Sequence, residues 1–138
     1  MKPSKFWIMS CTWGLLLTLF GAIAAGVLMA TGHKPKRFHH LIYFEIGEKW
    51  GGFNMGPFFF VCKNCSEATK RHEAGHGIQN CMYGPAMPFI VTIPSVIRYW
   101  YREYMYKHAQ HHKITDYDAI WFEGEATKLG DLYFKEVN

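Results

Sequence analysis

Charge is missing from two long stretches of this 138-residue chain: no Asp, Glu, Lys or Arg occurs from Phe6 to Ala30, nor from Cys81 to Ile97. Also missing is any segment that interleaves basic and aromatic residues. Apart from Lys34, Lys36 and Arg37 the basic residues are scattered, and the net charge is only +4, so no nucleic-acid partner is expected. Of the 4 cysteines, Cys62 and Cys65 form one C-x-x-C pair with no second to match it, and Cys81 stands alone. That spacing suits a redox pair or half a structural metal site, or else two small apolar residues near a strand end. What the chain has in plenty is apolar: 49% is hydrophobic and 17% aromatic, which excludes a disordered polymer. Its length suits one small domain.

The first charge-free stretch exceeds the roughly 20 residues that a membrane span needs. Lys2 and Lys5 precede it, and Lys34, Lys36 and Arg37 follow. A cleaved signal peptide is the competing reading, with small residues at Ala22-Ile23-Ala24 as the cleavage site. The run is longer than an ordinary signal core and basic residues follow it at once, so residues 1–32 are expected as a retained single-pass anchor in contact with membrane lipid. The positive-inside rule tilts residues 33–138 toward the cytoplasmic side. The second stretch, residues 81–97, is marginal in length and broken by Pro85, Pro88 and Pro94. Burial is the default there; an interfacial loop or a second, irregular membrane segment is the alternative.

Between and after these stretches the pattern predicts an α+β fold. Leu41–Ile46 and Phe58–Val61 are rich in β-branched and aromatic residues and read as strands, joined by the glycine-dense segment Trp50–Pro57. The result is a small sheet or hairpin. Its glycine-rich edge, residues 51–60, could take an extended peptide by main-chain pairing, or could simply be a loose turn. A helix capped by Ser66 runs to about Met82, where Tyr83-Gly84-Pro85 stops it. A second helix is expected from Ser95 to His112, with Val96, Ile97, Trp100, Tyr101, Tyr104 and Met105 as core. Arg98, Arg102, Lys107 and Lys113 would form its solvated or membrane-proximal face. A last helix, capped by Thr115 or Asp116, runs to about Phe134.

The first of these helices carries His72-Glu73-Ala74-Gly75-His76. Residues four apart share a helical face, so His72 and His76 can offer two imidazole nitrogens to one ion, and Glu73 leans over the flank of the same site. A carboxylate there can take a proton from metal-bound water. Gly75 and Gly77 flank the second histidine at a cost of about 1 kcal/mol each, which implies close approach of another backbone or a substrate. Two histidines do not complete a catalytic zinc site, which has three protein ligands and one open position. Glu123 on the last helix is the expected third ligand: it shares a face with Ala119, Ala126, Thr127 and Gly130, small enough to admit the metal helix. Glu125 is the fallback, about 200° round the helix, so both cannot point inward. His108 with His112 repeats the four-residue spacing, and His111 lies between them. A second metal site or a polar helix end fits these, and His33, His39 and His40 read as surface residues.

His72 to His76 with a downstream helical glutamate resembles the zincin metallopeptidases, nearest in ligand set to the gluzincins. Trp50 to Gly130 also resembles a family of small, membrane-anchored bacterial proteins of uncharacterised function. The shared features are Gly51-Gly52, Gly56-Pro57, an H-E-x-G-H-x-x-Q helix from His72 to Gln79, Ile93-Pro94-Ser95, and Trp121-x-Glu123 with Ala126 and Leu129-Gly130. The resemblance implies a minimal zincin-like domain over residues 33–138 and Zn2+ held by His72, His76 and Glu123. It further implies Glu73 as general base and a peptide or protein substrate hydrolysed at the peptide bond. The gluzincin pattern has an aspartate four residues after the glutamate, to orient a ligand histidine. Here that place is Thr127, so Asp118 or a main-chain carbonyl is expected to take over. Tyr117, Tyr83 and His108 are candidates for stabilising the oxyanion. The alternative is a non-catalytic membrane protein in which a structural zinc staples two helices and the surface binds a partner.

Overall fold

The computed structural model describes residues 1–108 and 115–135. Among them are a four-stranded mixed sheet and five α-helices, an α+β arrangement. The sheet contains β1 (Lys36–Phe38), β2 (Leu41–Glu45), β3 (Gly52–Met55) and β4 (Phe58–Val61), in the order β1-β2-β4-β3. β2 and β4 run parallel, with Ile42 opposite Phe58 and Glu45 opposite Val61. β3 returns antiparallel to β4 through Gly56-Pro57, where Gly56 takes a φ of 71°. It forms one edge of the sheet. β1 precedes the two strands read from the sequence. It pairs with β2 through a turn at His39, whose φ is 54°. His40 is half-buried: its ring meets Phe6 at 4.7 Å and Phe134 at 5.2 Å.

The expected continuous anchor is two helices, α1 (Pro3–Cys11) and α2 (Leu15–Ala30), bent by 97° at Thr12–Gly14. No single helix is long and apolar enough to cross a membrane among the described residues. Tertiary packing explains the bend. Phe6 of α1 is buried with Phe38, Leu41, Phe59 and Ile78, so the first turn and a half belongs to the core. α2 instead lies across the hairpin. A Cβ on its Gly21 would stand 2.4 Å from the Met55 carbonyl oxygen, and Ala25 packs with Phe44 and Phe60. One straight helix cannot satisfy both contacts.

α3 (Glu67–Tyr83) starts at Ser66, whose hydroxyl accepts the Thr69 N–H at 3.2 Å. The second charge-free stretch then passes through a 3-10 turn (Gly84–Ala86) and a π-helical turn (Pro88–Thr92) into α4 (Ile93–Lys107). Each proline falls in the first turn of its segment, where the lost N–H costs nothing, so prolines start these turns instead of breaking them. Only one side of this stretch is buried: Met87 and Val91 pack with Leu17 and Phe122, whereas Phe89, Ile93 and Ile97 are exposed.

α4 reverses the expected orientation. Ile97, Trp100, Tyr101 and Tyr104 are exposed, and of the set expected in the core only Met105 is fully buried. Arg98 and Arg102 turn inward. Arg98 donates to the carbonyls of Tyr117 (2.6 Å) and Asp116 (2.9 Å), Arg102 to that of Thr115, and both guanidinium groups lie over the Tyr117 ring. The segment before the last helix presents carbonyls that need donors, and the arginines supply them. His111, His112 and Lys113 lie outside the described residues. α5 (Trp121–Phe134) starts later than the expected cap at Thr115 or Asp116, because Tyr117–Ala119 form a separate 3-10 turn and Ile120 is extended.

Candidate metal centre

α3 and α5 meet where side chains are smallest. A Cβ on Gly75 would stand 1.9 Å from the Ala126 carbonyl oxygen, and one on Gly130 would stand 2.1 Å from that of Arg71. The two backbones are therefore in contact, and the short gap lets a glutamate on one reach the histidines of the other. Glu123 Oε2 lies 2.8 Å from His72 Nε2 and 3.2 Å from His76 Nε2. The three ligand atoms all fall within 4.8 Å of one another, a buried His-His-Glu cluster that could hold a metal ion. No other group of three such residues converges in this way among the described residues. The cysteines are free thiols, and Cys81 is buried beside Ser10 and the Phe6 carbonyl. Glu125 faces away from the ion site: it accepts hydrogen bonds from the Tyr83 hydroxyl and from Gln79.

Both imidazoles are oriented through their far nitrogens. Thr127 Oγ1 lies 2.8 Å from His72 Nδ1, so the residue standing in place of the gluzincin aspartate performs the orienting contact itself. Neither Asp118 nor a main-chain carbonyl is needed. Gln79 Oε1 lies 2.7 Å from His76 Nδ1, and the Gln79 amide donates to Phe122 O (2.9 Å) and Glu125 Oε1 (3.0 Å). Those two acceptors fix which way the amide points. Its oxygen therefore faces His76, Nδ1 carries the proton, and the Nε2 lone pair is left for a metal. Ser95 of α4 donates to the other oxygen of Glu123 at 2.5 Å. Gln79 and Ser95 entered the sequence reading only as parts of motifs. Gln79 had a readable signal, since it lies one turn beyond His76 on the same face.

The site's electrostatics follow from burial. Glu123 is completely buried; burial opposes its charge, but hydrogen bonds from His72, His76 and Ser95 outweigh this and hold it far below the usual carboxylate range. Burial raises the Glu73 carboxyl above its ordinary value, against the pull of the two histidines. Its carboxyl also feels the charge of Glu123, which pushes the same way as burial. β3 lies directly against it: a Cβ on Gly52 would come within 2.8 Å of Glu73 Oε1, so a side chain there would have to displace the carboxyl. Asn54, one pleat further on, donates to the Glu73 carbonyl at 2.9 Å and ties β3 to α3. Burial, then the nearby Glu123 and Glu73 charges, push the Tyr117 hydroxyl well above its ordinary value.

A cleft runs between β3 and α4, with the cluster in its floor. At its base Gly52, Glu73, His76, Thr92, Ser95 and Tyr117 enclose a cavity of about 20 Å3, room for one water. The cleft widens on one side into a recess of about 450 Å3 bounded by His72, Tyr99 and Arg102. On the other it widens into one of about 190 Å3 walled by Trp50, Phe53, Val96 and Trp100. Of the three candidates for the oxyanion, Tyr117 alone lines the cavity with Glu73. Tyr83 is engaged by Glu125, and the His108 ring lies on Tyr104 at 4.2 Å, near the end of α4. Comparison of the chain with family models, with curated proteins and with solved structures finds no match.

Proposed function

We propose that this chain is a membrane-associated, zinc-dependent peptidase. One observation carries the hydrolytic part: Glu73 is a buried carboxyl that lines a water-sized cavity beside a His-His-Glu cluster. A purely structural zinc has four protein ligands and no use for such a group. Two neutral imidazoles and one carboxylate match the donor set of a catalytic zinc, and both Nε2 atoms are presented by hydrogen bonds at Nδ1.

His72, His76 and Glu123 would hold the ion, which when bound supplies Lewis acidity toward water and a carbonyl oxygen. The chain's own residues do the rest. An extended peptide pairs along the free edge of β3, which lays its backbone over Gly52 and beside Glu73. Glu73, as the carboxylate, accepts the proton of the attacking water and returns it to the leaving amine, giving a carboxylate and a free amine; its burial strengthens its hold on that proton. Tyr117 stays protonated at neutral pH and donates toward the carbonyl oxygen as negative charge develops there. The membrane association rests on α1 and α2, a bent pair apolar enough together to enter a bilayer.

Glu73→Gln is the test. It keeps the shape of the side chain and leaves all three ligands in place. Expected are full zinc content and peptide hydrolysis reduced by about a thousandfold or more. Hydrolysis at the wild-type rate by the zinc-loaded variant would overturn the proposal. A zinc-free wild type would remove its cofactor.

A further inference from the structure

We infer that the outward faces of α2 and α4 form one surface in contact with the bilayer, so that α4 is the wall between cleft and lipid and the candidate site opens at membrane level. This extends the membrane part of the reading above, which rested on α1 and α2, and is independent of the hydrolytic part.

α4 is amphipathic in the inverted sense. Ile93, Ile97, Trp100 and Tyr104 follow one another at spacings of three and four along its outer face, and all are exposed. Its inner face carries Ser95, Arg98 and Arg102, engaged with Glu123 and with main-chain carbonyls. In water this helix would be turned inside out. α2 has the same character: Leu16, Phe20, Ile23 and Val27 form an exposed stripe, while Leu17, Gly21 and Ala25 on the opposite side are buried against the protein.

α2 is packed against the turn that leads into α4. Leu17 of α2 packs with Met87 and Val91 of the turn that leads into α4. The Trp13 ring sits over Gly84, where a Cβ would fall 2.2 Å from it. The surface contains no Asp, Glu, Lys or Arg from Phe6 to Ala30 or from Cys81 to Ile97. Exposed Lys2, Lys34 and Arg37 lie beyond the ends of the α1–α2 pair and exposed Lys5 lies in its first turn, as contact with anionic headgroups requires. Trp13 and Trp100, 52% and 66% exposed, belong to the residue type that sits at the boundary of a bilayer. α2 has 16 residues against the roughly 20 of a span, and protein covers one of its sides, so it lies in the interface with its other side in lipid. A second copy of the chain could cover an apolar patch, but it would have no use for the basic residues beyond the patch.

The test uses the full chain in vesicles of phosphatidylcholine and phosphatidylglycerol with brominated acyl chains, reading tryptophan fluorescence. The signal of Trp100 is the difference between wild type and Trp100→Phe; that of Trp13 comes likewise from Trp13→Phe. Quenching of both by brominated lipid is expected. Ile97→Glu, with near-ultraviolet circular dichroism to confirm folding, is expected to lower vesicle partition by at least about tenfold. Quenching of Trp13 with an unquenched Trp100 would overturn the inference and leave the anchor reading intact. Failure of the protein to float with vesicles at all would sink both. A defined dimer in lipid-free buffer, with Trp100 unquenched once vesicles are added, would assign the face to a second copy.

Discussion

α3 and α4 depart from the polarity of an ordinary globular helix in opposite directions. α3 buries Glu73, His76, Gln79 and Asn80. α4 exposes Ile93, Ile97, Trp100 and Tyr104 and folds its arginines inward. A buried polar group costs free energy unless it is hydrogen-bonded, so each polar residue of α3 needs a partner. His76 has Gln79 and Glu123, Gln79 has Glu125 and the Phe122 carbonyl, and Asn80 donates to the Gly14 carbonyl. Asn80 Oδ1 is left buried without a partner, and the Glu73 carboxyl, which meets the histidines only through charge and lines a cavity, is the candidate for chemistry. Nothing comparable satisfies the outer face of α4 from within the chain. There the departure concerns the solvent: a helix apolar on the outside is at home only where the outside is apolar. One helix therefore points to a site and the other to a surrounding.

The comparison breaks most sharply at the α3–α5 contact. Gly75→Ala in an ordinary helix would gain about 1 kcal/mol of propensity. Here the added methyl lands 1.9 Å from a main-chain oxygen that cannot move aside. The expectation is a loss of about 1–3 kcal/mol, as overpacking gives, together with loss of metal binding as Glu123 is pushed from the histidines. Thermal unfolding and zinc titration of the variant check both. A stabilised, metal-binding Gly75→Ala would mean that the helices are further apart than described.

The orienting contacts come next. Thr127→Val and Gln79→Leu each remove the acceptor from one imidazole while keeping roughly the volume, and each is expected to weaken zinc binding by about 10- to 100-fold. The effect should be seen in zinc affinity and in the visible spectrum of the cobalt-substituted protein. Unchanged affinity in Thr127→Val would return the orienting role to Asp118 or a carbonyl. pH gives a related prediction with two signs. Burial lowers the His76 pKa, but the hydrogen bond and charge of Glu123 and the charge of Glu73 outweigh it, so the net shift is upward from 6.5. In the metal-free protein that stabilisation is complete below the unfolded value and is lost as pH rises through the folded one. Metal must displace the same proton, so zinc affinity moves the other way and falls as pH drops through that window. Chemical denaturation of the metal-free chain and zinc titration across neutral pH should show opposite slopes.

Much of the site was legible before the structure, because its determinants are local. The spacing of His72 and His76 fixes a shared face whatever the helix packs against, and a stripe containing Ala126 and Gly130 permits close approach in any fold. Which side of a helix faces inward is not local. The periodicity of Ile97, Trp100 and Tyr104 marks a face on α4 but cannot say whether protein or another medium covers it, so the core assignment failed there. The bend between α1 and α2 was hidden for a related reason. Hydropathy sees one apolar run, whereas the demands of Phe6 for the α3 core and of Gly21 for the hairpin appear only once the sheet exists. Thr127 was passed over because a family pattern called for a carboxylate, although a hydroxyl accepts the same hydrogen bond.

The smallest effect expected is the most direct test of how the two helices differ. Ile97 is 59% exposed, so Ile97→Ser should change the stability of the detergent-free protein by no more than about 0.5 kcal/mol. Arg98→Met removes two hydrogen bonds to the Asp116–Tyr117 main chain and should cost about 1–3 kcal/mol. On a helix of ordinary polarity the ranking is the reverse: truncating the isoleucine opens a cavity, and the arginine is replaced with little effect. Denaturant unfolding of the two variants side by side decides it. A greater loss for Ile97→Ser would mean that something covers the outer face of α4 even without lipid. A greater loss for Arg98→Met would mean that α4 is held to the protein by its charged residues, leaving its apolar ones free for the bilayer.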